Sequence, residues 1–78
     1  MINETKTIEI YVQLLGDEEG TLRQTQALSL GGSMYKVLPI PNYEIADEQW
    51  KFIPGTIVKC ELRNYRGQDY LLAVEQVK

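Results

Sequence analysis

The side chains that could do chemistry in this chain are few, and their spacing limits them further. There is no histidine, so proton transfer near neutral pH would fall to carboxylates, Lys, Tyr or the single cysteine, Cys60. Six of the carboxylates form two groups. Asp17, Glu18 and Glu19 crowd a short segment between Gly16 and Gly20, while Glu44, Asp47 and Glu48 lie in a longer connection that begins with proline. A glycosidase-type pair needs one carboxyl raised in an apolar pocket and a second nearby, and a solvated turn supplies no such pocket. The three adjacent acids lack the spacing of an EF-hand loop. One Cys without a His leaves this chain no zinc ligand set of its own. Ser29 and Ser33 have no base partner, and none of the glycines belongs to a lysine-bearing phosphate loop. Cys60 lies on the apolar side of its segment, where a buried core thiol is expected, and no histidine exists to activate it. The residues predict no catalysis, no cofactor and no metal.

What remains is aromatic. Five Tyr, one Trp and one Phe are many for 78 residues, and loop aromatics on a small domain often line a shallow groove for a peptide or protein surface. Tyr43 and Trp50 fall in the long connection and Tyr65 falls in a hairpin loop, so these three form the candidate partner-binding surface. The structural alternative is that Trp50 caps one end of the core with Tyr43 packed beside it. A nucleic-acid-binding barrel is the second function class, and its support is the short basic cluster Lys59, Arg63 and Arg66. Net charge of −3 and a pI near 4.8 count against it, because phosphate backbones reward clustered Lys and Arg. The expected partner is therefore a protein, with self-association through an edge strand as one form of it.

These residues must be positioned by strands. Ile8, Ile10, Val12 and Leu14 alternate with Thr7, Glu9, Tyr11 and Gln13, a half-buried strand over 7–15 that turns Tyr11 outward. The return strand, 21–30, alternates poorly. Leu22, Leu28 and Leu30 share a parity with Gln24 and Gln26, which predicts a bulge or, failing that, a wet middle. Residues 34–40 form a third strand with Tyr35 and Val37 on one face, ended by Pro39 and Pro41. Asp47 is placed to cap one helical turn reaching Trp50. Pro54-Gly55 makes a tight turn into a fourth strand, 56–63, whose Val58, Cys60 and Leu62 share one face. Residues 64–69 read as a hairpin loop, and 70–77 as the fifth strand.

Five short strands in one domain spanning 1–78, with 1–6 a polar lead-in, are stable when curled into a closed sheet. The expected fold is all-β: a five-stranded small barrel, SH3-like, with an OB-like barrel as the alternative and at most one short helical turn before the fourth strand. Tyr11-Val12-Gln13-Leu14-Leu15-Gly16, Tyr35, the segment from Trp50 to Glu61 with its W-x-F-x-P-G-x-x-V-x-C-E pattern, and Leu72-Ala73-Val74-Glu75 together resemble a group of small bacterial proteins with no assigned activity. The resemblance covers most of the chain, although only the Trp50–Glu61 segment is specific. It departs at Leu22, where the group has an aromatic. It implies one compact domain and carries over no functional residue. No membrane-length apolar run and no basic-then-apolar leader is present, so the expectation is a soluble cytoplasmic protein.

Overall fold

The computed structural model describes residues 7–16, 20–40 and 49–77. Its strands are β1 (Thr7–Gln13), β2 (Leu22–Ser29), β3 (Met34–Val37), β4 (Ile57–Tyr65) and β5 (Gln68–Gln76). Each consecutive pair is antiparallel, and a parallel bridge from Tyr11 to Leu72 joins β5 back to β1. The expected five-stranded small barrel is the fold, and no helix occurs among the described residues. Strands that neighbour one another in chain order make a closed meander. The Greek-key order of an OB barrel is not present.

The alternation of β1 produces the core directly. Ile10 and Val12 are buried, and Ala27, Val37, Val58, Cys60 and Ala73 meet them from the other strands. Burying each Val or Ile contributes about 1.5–3 kcal/mol. Trp50 and Phe52 pack into the same cluster. The Pro-Gly turn forms as expected: the Thr56 N–H donates to the Ile53 carbonyl at 3.1 Å, and Gly55 takes φ +96°, the left-handed position of a type II turn. Gly55 N–H then donates to the Val37 carbonyl at 2.8 Å, and Val37 N–H to the Thr56 carbonyl at 2.9 Å. This fixes the start of β4 beside the end of β3.

Four expectations need correction. β2 has no bulge, because its register with β1 runs unbroken from Thr7↔Leu28 to Gln13↔Leu22. Its inward residues are Thr25 and Ala27. The buried Thr25 hydroxyl donates to the Leu38 carbonyl at 2.6 Å, so a polar residue inside is satisfied. The register shift lies instead in the β4–β5 hairpin, where Lys59 pairs with Glu75 but Cys60 pairs with Ala73, leaving Val74 as the extra residue. Second, Trp50 does not sit in a helical turn. It forms an extended bridge with Leu14, flanked by Leu15 N–H donating to the Gln49 carbonyl at 2.7 Å and Lys51 N–H to the Gln13 carbonyl at 2.8 Å. These bonds fill the part of the β1 edge that β5 leaves open. Asp47 and Glu48, the rest of that expected turn, lie outside the described residues.

Third, Leu62 shares the parity of Val58 and Cys60 but is 65% exposed. β3 pairs with β4 only as far as Lys59, so the hairpin runs on past the barrel and no strand among the described residues covers Leu62. Fourth, the loop at 64–69 is tighter than expected. Tyr65 pairs with Gln68, and Arg66 (φ +53°) and Gly67 (φ +85°) make the turn. Two successive positive φ values define the I′ turn, whose twist matches that of the flanking strands. Asn64 and Asp69 thus belong to the ladder, joined by an Asn64 Nδ2–Asp69 Oδ1 hydrogen bond of 2.8 Å. Among the described residues no helix is long and apolar enough to cross a membrane.

Candidate functional site

The feature that breaks the barrel's compactness is the distal half of the β4–β5 hairpin, residues 61–71, which we call the arm. Most of its side chains are exposed, and beyond the hairpin itself its described strand pairing is with β1 through Leu72 at its base. A β-bulge increases local twist and bends the strand that carries it, and the shift at Lys59/Cys60 marks where the arm begins.

Between the arm and the outer face of β1–β2 lies an open groove of about 880 Å³. Leu22, Tyr11, Leu62, Tyr65, Tyr70 and Leu71 give its wall an apolar character, with Glu9, Asp69 and Arg66 contributing charge. Tyr11 reaches it because its parity on β1 is opposite to that of the core residues. Leu22 lies diagonally beside Tyr11 across the ladder, since Leu22 pairs with Gln13 and Gln24 with Tyr11. The Tyr11 and Tyr70 rings meet edge to face at 5.4 Å and 78°, a favourable aromatic geometry that holds the base of the arm against β1. The Tyr11 hydroxyl donates to Glu9 Oε2 at 3.3 Å. Desolvation first, then the charge of Glu9 and that hydrogen bond, raise the Tyr11 pKa above its ordinary value.

The candidate aromatic residues are not brought together. Tyr65 is 62% exposed beside the hairpin turn, with the Arg66 guanidinium 5.2 Å from its ring centroid. Trp50 is only 2% exposed. Its indole belongs to the core, which corrects its placement on a partner surface and favours the end-capping role. Tyr43 lies outside the described residues. The basic cluster is also partly engaged: Arg63 Nη2 pairs with Glu61 Oε1 at 2.9 Å, and Arg66 lies over Tyr65. The residues that sequence reasoning missed are Leu22, Leu62, Tyr70 and Leu71. For Leu22 the signal was present in the poor alternation of β2, since an unbroken register places that leucine on the outer face.

Cys60 is buried, and burial pushes its thiol pKa up to about 11. It is protonated at neutral pH and poorly nucleophilic. Among the described residues no three of His, Cys, Asp and Glu are grouped to hold a metal ion. No protein-family model, curated protein or solved structure matches the chain.

Proposed function

We propose that this chain is a non-catalytic protein-interaction module that accepts an extended polypeptide strand on the arm. The observation that carries the reading is the coincidence, at one place, of an open strand edge with an exposed apolar side chain. Residues 61–65 of β4 have no strand neighbour on the side away from β5 among the described residues, and Leu62 stands uncovered beside that edge. An unpaired edge offers backbone donors and acceptors to an incoming strand, while flanking side chains choose which strand is accepted. The Tyr65 ring and the Leu62 side chain supply apolar contact, and Glu61 and Arg63 supply charge of both signs.

The test uses a random-peptide library selected on the wild-type protein, with binding mapped by amide hydrogen exchange. The expected result is protection of the Leu62 and Asn64 amides by the selected peptides, and loss of binding in Leu62→Asp with the fold intact. Peptides that leave those amides unprotected, or that bind Leu62→Asp equally well, would refute strand addition at the arm.

A further inference from the structure

We infer that the strand accepted by the arm is the free C-terminal end of a partner protein, antiparallel to β4, with an apolar last residue opposite Leu62. The inference rests on the strand-addition reading above and names which part of a partner fits. Main-chain direction comes first. Ile57 turns its carbonyl toward β5, accepting from Val77 N–H at 2.8 Å, whereas Cys60 turns its N–H the other way, donating to the Ser33 carbonyl at 3.0 Å. In an antiparallel ladder this direction alternates residue by residue. Leu62 and Asn64 therefore present their N–H and C=O groups to the open edge.

That edge is closed at one end. Met34 pairs with Lys59, and Ser33 holds Cys60 through the 3.0 Å bond, so β3 fills the line beside β4 as far as Cys60. Before Ser33 the chain comes round from β2 through a turn, where Leu30 N–H donates to the Met34 carbonyl at 2.9 Å. From Cys60 to Leu62 is two residues, about 7 Å of strand. This spacing admits one residue opposite Leu62 and its terminal carboxylate, and no further chain in the same line. The other end is open, because no strand among the described residues lies beside Asn64 or Tyr65 on that side. A strand that enters from the tip runs antiparallel to β4 and has to stop at the turn before Ser33.

Charge selects the same direction. A parallel strand would set its N-terminal ammonium at the closed end, and an antiparallel one sets its C-terminal carboxylate there. Lys59 is exposed at that end with no ion pair among the described residues, whereas Glu61 is already bonded by Arg63 at 2.9 Å. The uncommitted charge is positive, so it attracts a carboxylate and repels an ammonium. Antiparallel pairing is also the more stable of the two. The last residue then stands directly opposite Leu62, on the face that Leu62 shares with its β5 partner Leu71, so an apolar side chain there covers the exposed leucine.

The experiment selects a peptide library with free C-termini on the full wild-type chain. Affinities of the selected peptides are then measured as the free acid, as the C-terminal amide, and with Gly-Ser-Gly added at either end. The expected peptides end in an apolar residue and protect the Leu62 and Asn64 amides from exchange. Amidation is expected to weaken binding by about tenfold, and the C-terminal addition to abolish it, while the N-terminal addition changes nothing. Lys59→Gln, with circular dichroism unchanged, is expected to narrow the gap between acid and amide by about threefold. Peptides that protect the same amides yet tolerate the C-terminal addition overturn the chain-end inference and leave strand addition standing. An acid and amide of equal affinity, or a gap unchanged in Lys59→Gln, overturns the carboxylate's place beside Lys59. Selected peptides that leave Leu62 and Asn64 unprotected, or a selection that returns no binder, remove the strand-addition reading and this inference together.

Discussion

The lower halves of β4 and β5 lie in the barrel wall, while their upper halves form the arm, and the same two strands behave differently on either side of the shift at Lys59/Cys60. Val58 on one side of it, and Cys60 with its partner Ala73 directly on the other, belong with Ile10 and Val12 to the core, and none of them is more than 4% exposed. Above it, Leu62 continues the same alternation into solvent. Hydrogen bonding across the hairpin runs through both halves, so the ladder does not distinguish them. Coverage does. The barrel half is stabilised by apolar burial, and the arm half keeps its shape through cross-strand pairs, the I′ turn and the Tyr11–Tyr70 contact.

This contrast sets the order of expected effects. Val58→Asp places an unpaired charge in the barrel core and is expected to unfold the domain outright, seen as loss of a cooperative thermal transition. A folded Val58→Asp protein would mean the barrel half is not held by burial. Trp50→Ala is expected to cost about 3–5 kcal/mol by urea denaturation. A loss below about 1 kcal/mol would place the indole outside the core.

The Cys60 thiol gives the core a pH signature. Its folded pKa of about 11 exceeds the ordinary value of 9.0, so between these values the folded state holds a proton that the unfolded state has released. Stability is therefore full below about pH 9 and falls as pH rises through about 11, by roughly 2–3 kcal/mol. Tyr11, also raised, acts in the same direction. Denaturation curves of Cys60→Ala and Tyr11→Phe across this range separate the two contributions, and a slope unchanged in Cys60→Ala would remove the thiol from the explanation.

In the arm the expected effects are smaller. Gly67 has φ +85° and no atom within 4 Å of an added Cβ, so Gly67→Ala costs backbone strain alone, about 1 kcal/mol. The expected readout is faster amide exchange near the turn at Tyr65 and Gln68, with the barrel amides unchanged. Spread of that loss into β1–β3 would show that arm and barrel unfold as one unit. Leu62→Asp is expected to change stability by no more than about 0.5 kcal/mol, while abolishing strand binding. A loss of several kcal/mol by urea denaturation would make Leu62 part of the core after all.

Much of the barrel half was legible in the sequence. The alternation of β1 named Ile10 and Val12 as core, the Pro54-Gly55 pair marked the turn into β4, and Cys60 followed from its parity with Val58. Legibility failed where residue type and neighbour disagreed. Leu22 and Leu28 looked like core residues, yet the register of β2 with β1 turns Thr25 and Ala27 inward, and the Leu38 carbonyl accepts from the threonine hydroxyl. Parity assigns a face to Leu62 but cannot show whether anything lies against that face. For the candidate surface, Tyr65 is exposed and lines the groove, Trp50 lies in the core instead, and Leu22 had no reason to be grouped with Tyr70.

The sequence by itself determined the number of strands, the parity of most of them, the Pro-Gly turn and the lack of a histidine-based site, since these depend on periodicity and residue chemistry within a few positions. Only the tertiary structure decided that Trp50 lies inside and Leu62 outside, and that Tyr11, Leu22, Tyr65 and Tyr70 share one groove. The physical reason is that burial is a property of what packs against a face. Here that depends on β3 pairing no further along β4 than Lys59, a long-range limit that the local pattern of β4 does not contain.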